Sequence, residues 1–229
     1  MNNPGIISFL WSLAFCLLPW CIATQSLPLR GGAVIIQNNY PFKNFDKIEF
    51  RNLDGEIKVE IGQEWSVKID IPENLFPLLK VEKDNAENQL IIELKDNKNN
   101  RLYVEDSKIW IQITMPEASV IRSIGNQNVD IKGILGRYFR AELKGNGNLV
   151  LQGSIDELEI KHEGNGNIFA GKLQARLASV KMAGNGNIYV NSLLSLQANG
   201  RGNGNVVQLG PGAIHPLSGI VGNGEVIKK

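Results

Sequence analysis

The sequence predicts an all-β protein, a β-solenoid (parallel β-helix) of about 20 residues per coil that follows a less regular N-terminal β region. Three observations predict it. A glycine-asparagine tetrapeptide recurs at nearly constant spacing, apolar and polar residues alternate on both sides of each copy, and strand-like segments separated by turn residues fill 40–118. With 43% hydrophobic and 21% charged residues, the chain has the composition of a folded protein.

The tetrapeptide Gly-Asn-Gly-Asn is the repeating unit of the second half of the chain. Successive copies, including a degenerate one at each end, lie 20, 19, 20, 18 and 20 residues apart. A repeat of about 20 residues that contains alternating strands is typical of one coil of a β-solenoid. The copies occupy 125–128, 145–148, 164–167, 184–187, 202–205 and 222–225.

Residues on both sides of the motif alternate with a period of two, so each coil holds short strands with alternate side chains facing inward. Equivalent inward residues of successive coils should then stack in columns about 4.8 Å apart. The column after the motif is Val129, Leu149, Ile168, Ile188, Val206 and Val226, and the column four residues before it is Ile121, Ala141, Ile160, Val180, Ala198 and Ser218.

The motif itself has a mechanical explanation. Each coil must turn a corner, and corners use positive φ angles, which glycine adopts freely and asparagine tolerates. We therefore expect positive φ at Gly147, Gly166 and Gly186. Stacked asparagines can also bond amide to amide along the axis, and the alternative for this ridge is a ligand surface. The asparagine columns are Asn126, Asn146, Asn165, Asn185, Asn203 and Asn223, and Asn128, Asn148, Asn167, Asn187 and Asn205.

The N-terminal residues 1–23 resemble a signal peptide, with an apolar run from Ile6 to Ile22 and cleavage expected after Ala23 or, as the alternative, after Ser26. A retained membrane anchor and a lipoprotein attached at Cys21 are the alternatives, although Trp20 is not the small residue that lipidation needs. Cleavage would remove both cysteines and leave no membrane span. We predict a linker over 24–39, an N-terminal β region over 40–118 and the solenoid over 119–229.

Residues 40–118 contain alternating apolar segments separated by turn residues such as Asp54-Gly55, Gly62 and Pro72. These segments lack the 20-residue period. Two arrangements fit them: an antiparallel sheet, or irregular early coils that share the core of the solenoid.

The chain resembles the bacterial head GIN domain family (DUF2807), a family named for autotransporter adhesin heads. The resemblance rests on Phe45-Asp46-Lys47-Ile48, on Val59-Glu60-Ile61-Gly62 with Val67-Lys68-Ile69, on Glu73-Asn74-Leu75 and on the Gly-Asn-Gly-Asn coils. It covers about 40–227. It implies an exported bacterial β-solenoid without an established enzymatic activity, and it supplies no catalytic residues.

No catalytic, cofactor-binding or metal-binding residues are predicted. The sequence lacks the usual hydrolase and nucleotide-binding motifs, and its motif has asparagine where calcium-binding repeats need aspartate. His162 falls in an inward column, where a core imidazole is the expectation and a ligand the alternative. A net charge of +1 without a basic stripe argues against nucleic-acid binding.

A polysaccharide-binding or polysaccharide-cleaving β-helix protein is the rival prediction. Glycoside cleavage needs two carboxyl groups close together on one face, and Glu142 and Glu159 lie diagonally on outward columns. Arg140 and Lys161 alternate with them, which is typical of charge-paired surface columns.

The outward column two residues after the motif is mostly apolar or aromatic, and a surface of this kind is a candidate interface or ligand site. Three coverings fit it: the segment 40–118, a second copy or other partner, or a saccharide stacked on aromatic rings. We define the outer stripe as Val150, Phe169, Tyr189, Val207 and Ile227.

Together these observations predict an exported structural or adhesive module without catalytic activity, located in the periplasm, on the outer surface or in the medium. Its partner would be a cell-surface glycan, a protein or another copy of the chain.

Overall fold

The computed structural model describes residues 29–95, 97 and 104–229, so the predicted signal peptide lies outside the described residues. The described residues form an all-β solenoid of about 5 turns with about 20 residues per coil. A 3-10 turn lies at Phe76–Leu78. The strands are β1 (Leu29–Arg30), β2 (Ile35–Tyr40), β3 (Lys47–Arg51), β4 (Gly55–Ile61), β5 (Ser66–Pro72), β6 (Leu79–Asp84), β7 (Gln89–Leu94), β8 (Val104–Glu105), β9 (Ile109–Met115), β10 (Val120–Gly125), β11 (Asn128–Gly145), β12 (Leu149–Gly164), β13 (Ile168–Gly184), β14 (Ile188–Gly202), β15 (Val206–Gln208), β16 (Ala213–Ile214), β17 (Gly219–Gly222) and β18 (Val226–Lys228).

The periodic half forms coils whose strands pair in parallel with their counterparts one coil away. β10 to β14 pair in sequence order, β15, β16 and β17 all pair with β14, and β18 pairs with β15. The register aligns the motif copies, since Gly145 lies opposite Gly125 on one side and Gly164 on the other. The predicted inward columns are buried except at the last coil, where Ser218 and Val226 are half-buried.

The corners turn at a different glycine from the one we expected. Positive φ belongs to the first glycine of each motif, for example 136° at Gly145 and 129° at Gly164, whereas Gly147 and Gly166 have none. The second glycine is needed because coils approach closely there: a Cβ on Gly166 would overlap the carbonyl oxygen of Gly147 in the coil below. The expectation of positive φ at Gly147, Gly166 and Gly186 was therefore wrong.

The N-terminal region combines both arrangements that the sequence allowed. β3 and β4 form an early coil parallel to β10 and β11, and β7 and β9 lie parallel to them on the far side. β6 pairs antiparallel with β7, and β5 lies antiparallel between β9 and β2. All of β2 except Tyr40 falls inside 24–39, the stretch predicted as a linker. The corner of the early coil is Asn52, which has a φ of 54°.

One hydrophobic core runs through both halves of the described chain. Buried apolar residues from Phe45 in the N-terminal region to Val206 near the last coil belong to a single packed cluster. Among the residues that the structure describes, no helix is long and apolar enough to cross a membrane. Because the inward side chains are buried in this core, a binding site on these coils would use the outward columns.

Candidate functional site

The asparagine ridge at the corners is a pair of hydrogen-bonded ladders. In the outer ladder each asparagine donates from Nδ2 to Oδ1 of the asparagine one coil below, for instance Asn165 to Asn146 at 3.0 Å and Asn185 to Asn165 at 2.8 Å. In the inner ladder the side-chain oxygen also accepts a backbone N–H from the next coil, as Asn167 does from Asn187 at 2.9 Å. The amides of this ridge are thus engaged in holding coils together.

His162 lies in the core, as the inward column predicts, and is 1% exposed. Its Nε2 donates to the carbonyl oxygen of Gly166 at 2.7 Å, and its Nδ1 finds no partner among the described residues. Burial lowers the pKa of the imidazole, although the bond to Gly166 opposes that shift. The described residues contain no cluster of side chains able to hold a metal ion.

An outward charge ladder crosses the coils next to the corners. Arg122 bridges Glu49 and Glu142, with 2.6 Å to each carboxylate. Arg140 contacts Glu159 at 2.8 Å. The alternating charges that the sequence showed are therefore paired in space. The charge ladder is Glu49, Arg122, Arg140, Glu142, Glu159 and Lys161.

The two carboxyl groups named for glycoside cleavage belong to this ladder. Burial alone would raise the pKa of Glu142, but hydrogen bonds and charge from Arg122 and Lys161 outweigh it and lower the pKa. The pKa of Glu159 is likewise lowered, because hydrogen bonds from Tyr138 and Arg140 outweigh burial. A general acid in glycoside cleavage needs the opposite shift.

The outer stripe lies on the outward face of the strands that follow the corners, in register from coil to coil. Phe169 is 41% exposed, Val150, Tyr189 and Ile227 are half-buried, and Val207 is buried at 4%. Four of the five predicted residues thus remain accessible on one surface.

The aromatic pair at the centre of the stripe is stacked. The rings of Phe169 and Tyr189 are 5.5 Å apart between centroids and inclined by 7°. One face of each ring therefore contacts the other ring, while Val150 and Val207 follow on the neighbouring coils. A saccharide platform needs a free ring face, and this geometry disfavours one here.

The segment 40–118 does not lie across the stripe. Its strand β4 continues the same sheet beyond Asp130, with Lys58 opposite Asp130. Asp130 ends the stripe in polar contacts, since it forms an ion pair with Lys132 at 3.4 Å and accepts from Gln152 at 3.2 Å. The stripe is thus an apolar surface with a polar boundary on its N-terminal side.

A second surface feature was missed at the sequence level. A cleft of about 420 Å³ opens on the outward face of β11 to β14, between Tyr138 and His215. The sequence marks it only weakly, by small outward residues such as Ser179 and Ser195 where the charge ladder ends. His215 reaches it because the loop after β16 folds back toward β14.

The fold and these surfaces define a β-solenoid repeat protein with paired surface charges and an apolar outer stripe. The family described as "Putative auto-transporter adhesin, head GIN domain" (DUF2807) matches residues 44–212. This match covers more than half of the chain, so the chain belongs to that family, and the resemblance seen in the sequence is confirmed.

Other proteins of solved structure share the fold, and two of them are compared below. A protein described as a putative adhesin from Bacteroides fragilis is 25% identical, with a TM-score of 0.68 over 88% of this chain and 100% of that chain. A protein described as a putative lipid binding protein from Parabacteroides distasonis is 21% identical, with a TM-score of 0.57 over 89% and 100%. The second likeness concerns the fold alone. Among curated proteins, none matches this sequence.

Proposed function

We propose that this chain is an exported, non-catalytic adhesive module that binds a protein partner through the outer stripe. The observation that carries the proposal is the exposure of Phe169, 41% of its surface, in the middle of an apolar column that runs beside the polar inner asparagine ladder. Contiguous apolar surface on a folded protein marks an interaction site.

Two further observations support the proposal. Phe169 and Tyr189 are stacked on each other, and Val150, Tyr189 and Ile227 are half-buried, so these side chains are already ordered and lose less entropy on binding. The family name and the description of the Bacteroides fragilis relative both refer to adhesion.

The absence of catalysis is supported by the state of the carboxyl groups. Glu142 and Glu159 are held ionised by arginine and lysine partners, with lowered pKa values. Neither group is suited to donate a proton to a leaving group at neutral pH. We expect Glu159→Gln to leave any saccharide-degrading activity of a purified preparation unchanged, and its loss would overturn this part of the proposal.

The stripe is tested with Phe169→Asp and Tyr189→Asp, each of which places a charge on the apolar surface. We expect both variants to keep the wild-type circular dichroism spectrum and to lose adhesion of the purified chain to protein-coated surfaces such as fibronectin, collagen and mucin. Gln174→Asp is the matched control, because Gln174 is exposed on the same coil outside the stripe. Light scattering separates self-association from binding to another protein. Wild-type adhesion and assembly in both variants would refute the assignment.

Export is tested on the full chain produced in a Gram-negative host. Mass spectrometry of the secreted or periplasmic protein should place its N terminus after Ala23. An intact N terminus in the membrane fraction would indicate an anchor, and a lipid mass on Cys21 would indicate a lipoprotein.

A further inference from the structure

We propose that the cleft between Tyr138 and His215, here the Tyr138 cleft, binds a neutral saccharide. This site lies on a different part of each coil from the outer stripe and takes a different class of ligand. The proposal therefore goes beyond the protein-binding function and does not depend on it.

The cleft arises from a step in side-chain size along two outward columns. In register, Arg140 and Glu159 are followed by Ser179 and Gln197, and Tyr138 and Glu157 by Leu177 and Ser195. Tyr138 and Glu159 on the early coils form one wall, and Ser179, Leu177 and Ser195 on the next coils form the floor.

The far wall is a loop tied back to the last coils. The backbone N–H of His215 donates to the carbonyl oxygen of Leu196 at 2.8 Å, and that of Ser218 donates to the carbonyl oxygen of His215 at 2.9 Å. The hydroxyl of Ser218 accepts the backbone N–H of Ala198 at 3.0 Å. These bonds hold His215 at the rim of the cleft.

Several of the groups that line the cleft are uncharged and can both donate and accept hydrogen bonds. Ser179 and Ser195 supply hydroxyls, and Gln197 supplies an amide. The Nδ1 of His215 accepts the backbone N–H of Leu217 at 3.2 Å, which leaves its Nε2 to donate a hydrogen bond to a ligand. Sugar hydroxyls need both kinds of partner.

Apolar area accompanies these polar groups. Leu177 lies on the floor, and Tyr138, 38% exposed, forms part of the wall. Pockets for small ligands combine apolar lining with a few converging polar groups. The C–H surface of a sugar ring can pack on the apolar lining while its hydroxyls bond to the polar groups.

The wall is fixed before any ligand arrives. The hydroxyl of Tyr138 donates to Glu159 and accepts from Nε of Arg140 at 2.9 Å, and Arg140 donates to Glu159 at 2.8 Å. Because Arg140 and Tyr138 occupy the Glu159 carboxylate, its charge is largely compensated within the wall. Preorganised groups lose less entropy on binding.

Charge and backbone pairing argue against two other classes of ligand, anionic molecules and extended peptides. Glu157 lines the cleft, and the nearby Arg140 is already bound to Glu159, so anionic ligands such as phosphates and acidic sugars are disfavoured. The strands beneath it, β12 to β14, are each paired on both sides, which leaves no free strand edge for a peptide to extend.

The test uses the chain from residue 24 onward with a panel of soluble oligosaccharides: maltohexaose, cellohexaose, xylohexaose, mannohexaose and chitohexaose, with hexagalacturonate and sialyllactose as acidic probes. Binding is measured by isothermal titration calorimetry. We expect at least one neutral oligosaccharide to bind with a dissociation constant below about 1 mM, an affinity within the range of weak specific binding, and neither acidic probe to do so.

Variants locate the site. Ser179→Trp fills the floor and Gln197→Ala removes the amide, and each should weaken binding at least about tenfold, which corresponds to about 1.4 kcal/mol. Gln174→Ala is the control, since Gln174 is exposed on the coil of Ser179 but outside the cleft. Unchanged circular dichroism shows that the variants fold, and Gln197→Ala keeps the test valid if Ser179→Trp does not fold.

The proposal would be overturned by no binding of any neutral oligosaccharide at millimolar concentration, by stronger binding of an acidic probe, or by binding that Gln197→Ala leaves intact and Phe169→Asp abolishes. If no saccharide binds, the proposal that the outer stripe binds a protein still stands, because that proposal is tested separately with Phe169→Asp and Tyr189→Asp on protein-coated surfaces. Release of reducing sugar from a bound probe would also overturn the proposal for the cleft, since the cleft would then act as a catalytic site.

Discussion

The two glycines of each motif serve different physical needs. The first, such as Gly164, has a positive φ of 129° and turns the chain at the corner. The second, such as Gly166, has an ordinary φ but lies against the carbonyl oxygen of the glycine one coil below. Gln127 occupies this second position in the first copy, where its side chain is buried and donates to Ser123 at 2.8 Å. A side chain is therefore tolerated at this position only in the first copy, where the coil below has no glycine-asparagine motif.

Gly166→Ala should destabilise the chain by about 1–3 kcal/mol, because the added methyl group overlaps backbone that is held by its own coil. The measurement is the free energy of unfolding from urea titration. Lys172→Ala, at an exposed site on the same coil, should change it by less than about 0.5 kcal/mol. Equal changes in both variants would mean that the coils can separate at the corner.

His162 should make stability sensitive to mild acid. Burial lowers its pKa below the usual 6.5, so the folded chain keeps the imidazole neutral at a pH where the unfolded chain binds a proton. The free energy of unfolding should therefore fall as pH decreases below about 6.5. Urea titrations at pH 7.5 and 5.5 measure the difference.

His162→Met should reduce that loss of stability, because methionine fits the column between Leu143 and Met182 and does not titrate. Gln174→Ala, at an exposed site without a titratable group, is the control and should keep the wild-type difference between the two pH values. If His162→Met retains the full loss, another group accounts for it.

At the scale of the element, two asparagine ladders stabilise the corner. They differ in the groups whose hydrogen bonds they complete. The outer ladder joins side-chain amides that are exposed to water. The inner ladder also gives a partner to a backbone N–H of the next coil in a half-buried position. When an exposed group loses its hydrogen bond, water replaces the lost partner. A buried N–H that loses its acceptor has no such replacement, and the free energy of unfolding falls by the desolvation penalty of that N–H.

Asn167→Ala should therefore destabilise the chain more than Asn165→Ala does. We expect about 1–3 kcal/mol for Asn167→Ala, which leaves the N–H of Asn187 without its acceptor, and about 1 kcal/mol or less for Asn165→Ala. Thermal and urea unfolding of the two variants give the comparison. The reverse order would show that the outer ladder carries the cohesion of the corner.

At the scale of the whole molecule, the two halves are joined by strand pairing, the core and one buried carboxylate. Glu49, 3% exposed, contacts Arg51 and Arg122 and accepts from Gln89 at 2.8 Å, so it links β3 with both of its neighbours. Burial would raise its pKa, but these hydrogen bonds outweigh burial and lower it. The pairing of β3 with β10 and of β4 with β11 continues the solenoid through the predicted boundary at 118.

We expect residues 24–229 to unfold in one cooperative transition. The tryptophans of residues 24–229, Trp65 and Trp110, both lie in the N-terminal region, so their fluorescence reports that region, while far-ultraviolet circular dichroism reports all strands. The two urea transitions should coincide, because one core spans both regions. A fluorescence transition at a clearly lower urea concentration would show two separate units and support the predicted division at 118.

The repeat by itself determined the solenoid, the coil length and the inward columns. Parallel stacking of the coils places residues that are one repeat apart in contact. Equivalent residues of successive repeats therefore line up along the solenoid axis. The same reasoning paired Arg140 and Lys161 with Glu142 and Glu159, and it placed His162 in the core.

Only the tertiary structure decided which glycine turns the corner, how 40–118 joins the solenoid and where the Tyr138 cleft lies. Each depends on distances between separate coils: the approach of one backbone to another, the pairing of β3 with β10, and the return of the loop that carries His215. A single sequence carries no direct signal for contacts outside its period. The periodic contacts were therefore predictable, and the aperiodic ones were not.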